Sequence, residues 1–239
     1  MASATAPSRA LPGIFRPARR PLTTAAVTLV TGLVLLTVGV FLRTRPVDLG
    51  AVVVLNRAHT GAWAVIADAV YRGLGPVPAV VLTVVLAAVV WGASRSLRTA
   101  IAFGAVVALT WLPVAVLKIL VDRPRPDAAM LAHVYTPGQT DGSFPSGHTA
   151  FLAALTMACW YLLRGTRWAG IVTAAGALAT ALVGVAVVSD GLHYPTDALA
   201  SVAWALAMAP TARWLVADVA LARLGRRAPA PGQAGVPRR

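Results

Sequence analysis

Two histidines, a lysine, an arginine, a serine and an aspartate stand out in a chain that is otherwise sparing with polar side chains. They fall in three clusters, KILVDRPRP (118–126), PSGH (145–148) and SDGLHYPTD (189–197). Lys118 and Arg125 are fixed positive charges, one a point charge and one a planar fork, and a phosphate monoester dianion offers the oxygens that suit both. Ser146 adds a hydroxyl donor. Gly147 allows close backbone approach, and it opens an apolar run where the unpaired N–H groups and dipole of a helix start favour an anion. His193 and Asp197 stand four residues apart, so on a helix beginning near Pro195 the carboxylate can reach back to the imidazole. Such a pairing fixes the tautomer and supports an imidazolium, which a nucleophilic histidine needs. His148 is then placed to protonate a departing alkoxide.

The elements that must position these residues are membrane spans. The chain has 239 residues, 58% hydrophobic and 12% charged, with a mean hydropathy of +0.73, far from the balance of a soluble domain. A crossing takes about 20 apolar residues. Six segments qualify: Leu22–Leu42, Pro76–Ala93, Ala100–Val121, Pro145–Leu163, Trp168–Val188 and Pro195–Val216. The expected fold is all-α, a six-transmembrane-helix bundle. Between the first and second spans, AVVVL is followed by Asn56, Arg57, His59, Asp68 and Arg72, too polar for lipid, which predicts an interfacial helix on the periplasmic side. Arg16, Arg19 and Arg20 precede the first span, but its apolar run is too long for a signal peptide and no small-residue cleavage site follows. Residues 1–21 and 218–239, rich in Pro, Ala, Gly and Arg, are expected to be disordered basic ends around one domain at 22–217.

Charge sets the orientation. With six spans, one side of the membrane holds fourteen arginines and a single acid, Asp218, while the other holds six arginines, Lys118 and seven aspartates and so no net charge. The positive-inside rule puts the first side, with both termini, in the cytoplasm and all three clusters on the extracytoplasmic face. The net charge of +13 is scattered between apolar runs rather than gathered with aromatics. That excludes nucleic acid as a partner and points the basic flanks at anionic membrane lipids. Cys159, alone, has no disulfide partner. Asp122, Asp127, Asp141 and Asp190 read as loop residues balancing arginines, and His59 and His133 as exposed loop residues. No His/Asp spacing supports a metal site.

These motifs resemble those of the type 2 phosphatidic acid phosphatases, lipid phosphate phosphatases related in fold to glucose-6-phosphatase and the vanadium haloperoxidases. The family's first motif, lysine, six residues, Arg-Pro, is matched by Lys118, Arg125 and Pro126. The second, Pro-Ser-Gly-His, is matched in full by Pro145, Ser146, Gly147 and His148. Of the third, Ser-Arg, five residues, histidine, three residues, aspartate, the chain has His193 and Asp197. The likeness covers roughly residues 76–216. It implies a six-helix membrane bundle that hydrolyses a lipid phosphate or diphosphate through a phosphohistidine, without metal or other cofactor. His193 would be the nucleophile, Asp197 its orienting group, His148 the acid, and Lys118, Arg125, Ser146 and Gly147 the phosphate holders. Polyprenyl phosphates or diphosphates, phosphatidate and phosphatidylglycerophosphate are the candidate substrates, met at the outer leaflet with the tail entering sideways.

One departure stands out. Ala186 and Val187 occupy the places of the third motif's Ser-Arg. Losing a charged donor aimed at transition-state charge costs about 2.7–4 kcal/mol, a hundred- to thousandfold in rate. Arg123 and Ser189 are the residues that could compensate, and Val187→Arg is expected to raise activity. The alternative that this departure motivates is a catalytically impaired protein that binds or transports a lipid phosphate in a retained pocket. The sequence carries no signature of oligomeric state.

Overall fold

Long apolar runs leave backbone amides and carbonyls nothing to bond but one another, and the chain resolves them as helices. The computed structural model describes residues 13–227, and among these there is no strand. Five helical stretches are long and apolar enough to cross a membrane. They are α1 (Pro21–Thr44), α4 (Pro76–Ser94), α5 (Leu97–Trp111) continued by α6 (Pro113–Val121), α8 (Trp168–Ser189), and α9 (Pro195–Arg213) with its extension. Between α1 and α4 lie α2 (Leu49–Arg57) and α3 (Gly61–Gly73). Proline opens α1, α4, α6 and α9, where a missing N–H costs nothing. The expected span 100–121 is interrupted at Pro113, which cannot donate to the preceding turn.

α7 (Gly147–Leu163) has 17 residues, fewer than the other five stretches. It is also the innermost, packed against α5, α8 and α9. Small residues allow this, since Ala150, Ala153, Ala154 and Ala158 are all buried on α7. Gly176 on α8 faces Thr156 so closely that a Cβ would overlap its side chain, and Gly39 on α1 would meet Val121 at 2.8 Å and Phe144 at 2.9 Å. Where one interfacial helix was expected, the chain forms two, α2 and α3, parted at Gly61, whose φ of +56° suits glycine. Both pack on α8.

The two ends of the bundle differ. At one, Arg164 donates from Nε to the Gly13 carbonyl and from Nη2 to that of Arg16, both at 2.6 Å, and Arg213 pairs with Asp218 at 2.9 Å. Ile14 is fully buried there. Residues 13–15, within the end expected to be disordered, thus form a seated 3-10 turn, and α10 (Leu221–Arg227) extends the last stretch after a π-helical turn, Trp214–Ala220. The remainder of both predicted tails, 1–12 and 228–239, lies outside the described residues. The other end carries the three polar clusters.

Gly176→Val should push α7 from α8 and cost about 1–3 kcal/mol, read as a lowered thermal midpoint in detergent. Gly170→Val on the same helix, with open space beside it, should leave the midpoint close to that of the native chain; equal losses would contradict the close α7–α8 approach.

Candidate active site

α8 ends in a tight turn around Gly191 (φ +73°), and the Val187 carbonyl accepts the amides of Leu192 and His193 at 3.3 and 3.2 Å. α9 then starts at Pro195, which puts Asp197 in its first turn. Asp197 Oδ2 accepts the Tyr194 amide at 2.9 Å and lies 3.4 Å from His193 Nδ1. That contact assigns the Nδ1 proton to the carboxylate side and leaves Nε2 with its lone pair. His193 is 1% exposed and Asp197 fully buried. Burial first, then the charges of Arg125 and Lys118, press the His193 imidazole down to about 4 against the pull of Asp197.

Arg123 is engaged with this pair. Its Nη1 donates to Asp197 Oδ1 at 2.7 Å and to Thr196 Oγ1 at 2.8 Å, its Nη2 to Asp48 Oδ1 at 2.8 Å, and its guanidinium lies 3.7 Å over the Tyr194 ring. Asp48 Oδ2 accepts in turn from the Thr196 amide (2.9 Å) and hydroxyl (2.6 Å). Arg123, named above as a residue that could compensate for the missing third-motif arginine, is 1% exposed and grips the far oxygen of Asp197. Ser189 is committed as well, donating to the Ala186 carbonyl at 2.9 Å and accepting from Trp63 Nε1 at 3.1 Å.

Lys118 and Arg125 converge on one anion. Lys118 Nζ reaches Asp141 Oδ2 and Arg125 Nη2 reaches Oδ1, each at 2.7 Å, while Arg125 Nη1 donates to the Leu192 carbonyl next to His193 at 2.8 Å. Partial burial works to raise the Asp141 carboxyl, but the two cations outweigh it and hold it at about 2. Asp141 is itself half exposed, on the loop before α7, so its carboxylate is a removable occupant of a two-cation clasp.

The start of α7 completes the group. Ser146 caps it, its Oγ accepting from the Thr149 amide (3.4 Å) and hydroxyl (3.1 Å), which leaves its own proton to give. Its amide donates to the Asp197 carbonyl, and its carbonyl accepts from Ser201, tying α7 to α9. Beside Gly147 there is open space. His148 stacks on Tyr71 with centroids 4.2 Å apart, and its Nε2 is 3.0 Å from the Tyr71 carbonyl, so Nε2 carries a proton and Nδ1 is the nitrogen left for chemistry. The structure thus brings together Lys118, Arg125, Ser146, Gly147, His148, His193 and Asp197 from segments up to about eighty residues apart.

Val187, where the motif has arginine, is fully buried in an apolar cluster with Tyr71, Val183 and Leu192. An arginine there would bury a charge among them, so the expected gain from Val187→Arg has no room in this packing. Sequence reading missed Asp48, Asn56, Trp63, Tyr71 and Thr196, all supports rather than motif residues. Asn56 could have been found: a side-chain amide within the VVVLN run, it bonds the Ser189 and His133 backbones at 2.8–2.9 Å. His59, expected in an exposed loop, is 9% exposed between Asp68 and Asp190.

A crevice of about 540 Å³ runs between α7, α8 and α9, lined by Ala153, Met157, Ala181, Val188, Pro195 and Leu199 among others, and its walls are almost wholly apolar. Val188 and Pro195 bracket the His193 turn.

The chain is similar in fold to a transmembrane PAP2-type phosphatidylglycerolphosphate phosphatase from Bacillus subtilis, with a TM-score of 0.59 and 19% identity over 84% of this chain and 96% of that one. No curated protein sequence matches. The profile of the PAP2 superfamily matches residues 99–220, which hold every member of the cluster, and this multi-pass membrane protein belongs to that superfamily.

Proposed function

We propose that the protein is a membrane phosphatase that hydrolyses a lipid phosphate or diphosphate through a phosphohistidine at His193. The observation that carries this reading is the pair of 2.7 Å contacts from Lys118 and Arg125 to the two oxygens of one carboxylate, next to a histidine whose Nδ1 is held by Asp197. A phosphoryl group entering the clasp displaces Asp141, whose carboxylate mimics two of its oxygens. His193 Nε2 attacks phosphorus, the bond to the lipid oxygen breaks, and His148 gives its Nδ1 proton to that oxygen. Water then attacks the phosphohistidine while His148 Nδ1 takes back a proton, which releases phosphate and restores both rings. The incoming dianion offsets Lys118 and Arg125 and so favours the doubly protonated His148 that the first step needs. Ser146 and the amide of Gly147 at the α7 start add donors to the phosphoryl oxygens. Neither step calls on a metal.

The apolar crevice ending at Val188 and Pro195 supports an acyl or prenyl tail that enters from the bilayer. The six-span topology counts α7 as the fourth crossing, short because it is buried against three neighbours. It sets both termini in the cytoplasm, α2 and α3 at the periplasmic interface, and the site on the outer face, in line with the arginine asymmetry. The second reading, a lipid-phosphate binding or transport protein, is favoured by the apolar plug at Val187.

Protein purified in detergent with excess EDTA should release phosphate from at least one of phosphatidate, phosphatidylglycerophosphate and a prenyl diphosphate, and His193→Ala should abolish release. Full turnover by the alanine variant would exclude the nucleophile, and no turnover by the native chain across the panel would favour the binding reading. Because attack needs an unprotonated Nε2 and the ring is held at about 4, kcat/KM should fall on the acid side only as pH drops towards 4; a fall already under way at pH 6.5, the ordinary histidine value, would contradict the site's electrostatics.

Asp141→Asn should lower KM two- to tenfold, the scale of two exposed ion pairs no longer competing with substrate, with kcat retained. A raised KM would mean that Asp141 helps to hold the substrate. A phosphatase or fluorescent reporter fused after Arg239 should report the cytoplasm, and a periplasmic signal would overturn the six-span topology.

A further inference from the structure

Next to the site, but outside its chemistry, three ligating side chains meet from three elements. His59 follows α2, Asp68 lies on α3 and Asp190 closes α8. His59 Nδ1 is 3.4 Å from Asp190 Oδ1 and His59 Nε2 is 3.3 Å from Asp68 Oδ1. One donor atom from each of the three lies within 4.8 Å of the other two. The Asp190 side chain is wholly buried. Neither of its oxygens accepts a hydrogen bond, and neither does His59 Nδ1 or Asp68 Oδ1 find such a partner.

Buried polar atoms are nearly always bonded, and a buried carboxylate with no donor is costly. Here two carboxylates share one imidazole, and the guanidinium nearby, that of Arg72, is 63% exposed and reaches only the second oxygen of Asp68, at 3.3 Å. A divalent cation held among the three would offset the charge of both carboxylates.

The geometry points to a binding site for a divalent transition-metal ion of the zinc class, held by His59, Asp68 and Asp190 and acting as a structural clip at the bundle's polar end. An imidazole nitrogen with two carboxylate oxygens is a donor set that suits such an ion, with water in the fourth position. Tetrahedral zinc with bonds of about 2.1 Å separates its ligands by about 3.4 Å, so small rotamer shifts draw the three donors in from their present spread. The 30% exposure of the Asp68 side chain leaves a route in. The clip would join three supports of the chemistry: Asp190 lies three residues before His193, Asp68 three before Tyr71, on whose carbonyl and ring His148 rests, and His59 three after Asn56, which holds the α8 end. The ion would stiffen the site without touching phosphate, so the clip and the EDTA-resistant turnover stand or fall separately.

The test uses tag-free full-length protein in detergent, stripped with chelator, dialysed and titrated with Zn²⁺ alone. The native chain should take up about one zinc per molecule, and its thermal midpoint should rise by roughly 5–10 °C at a hundredfold excess over Kd. Asp190→Asn and Asp68→Asn should lose both the uptake and the shift. Without zinc, the midpoint of Asp190→Asn should match or exceed that of the stripped native chain, because a buried carboxylate without a donor has gone. Absence of zinc uptake by the native chain, or equal uptake by the two variants, would overturn the site.

Discussion

The site depends on a single buried carboxylate. Asp197 presents one oxygen to His193 and the Tyr194 amide and the other to Arg123, and its backbone carbonyl accepts the Ser146 amide at the start of α7. An ionised carboxylate with no exposed surface persists only if its charge is met nearby, and Arg123 supplies that charge at 1% exposure. Removing one member of so buried a pair typically costs about 3–5 kcal/mol. Arg123 carries the constraint further, to Asp48 and so to the junction of α1 and α2, and Asp48 holds the first turn of α9 through Thr196. The tautomer of His193 is thus secured by a chain of charges that starts at the far end of the first membrane helix.

A second balance lies on top of the first. Lys118 and Arg125 converge at one place, where two cations without an anion would repel each other, and Asp141 settles between them. A partly exposed carboxylate on a loop is a weak occupant by the measure of surface ion pairs, one that the proposed dianionic substrate would displace. The two arginines of the RPRP run therefore do opposite work two residues apart. Arg123 points inward and holds the protein's own carboxylate. Arg125 points to the cavity and has a carbonyl neighbour of His193 as its hinge.

Much of this was legible in the sequence, for a definite reason. Helices of an apolar chain cannot hide charged residues at random, so Lys118, His148, His193 and Asp197 advertised themselves by standing at the ends of apolar runs. Helical periodicity predicted the His193–Asp197 contact, and the helix-start position of PSGH predicted the open backbone at Gly147. The supports were not legible because they are long-range: Asp48 to Arg123 and Thr196, Asn56 to His133, His59 to Asp190 each join segments at least seventy residues apart. The same limit hid the partners of Arg123. Two residues from Arg125, it looked like a spare phosphate ligand, and only the packing of Tyr194 and Asp197 shows which way it turns. The metal-binding cluster escaped for a like cause, since no local spacing links His59 to Asp190. At Val187 the sequence signalled a loss, whereas the packing shows a filled apolar position among Tyr71, Val183 and Leu192.

The central claim is that His193 takes the phosphoryl group, and the most direct measurement is to trap it. Native protein mixed with a turned-over lipid phosphate, quenched in alkali where phosphohistidine survives, and digested for mass spectrometry should carry the phosphoryl group on the peptide that contains His193, in greater yield when His148→Ala slows its release. Phosphate on the His148 peptide, or rapid turnover with no phosphorylated histidine at any time point, would contradict the account.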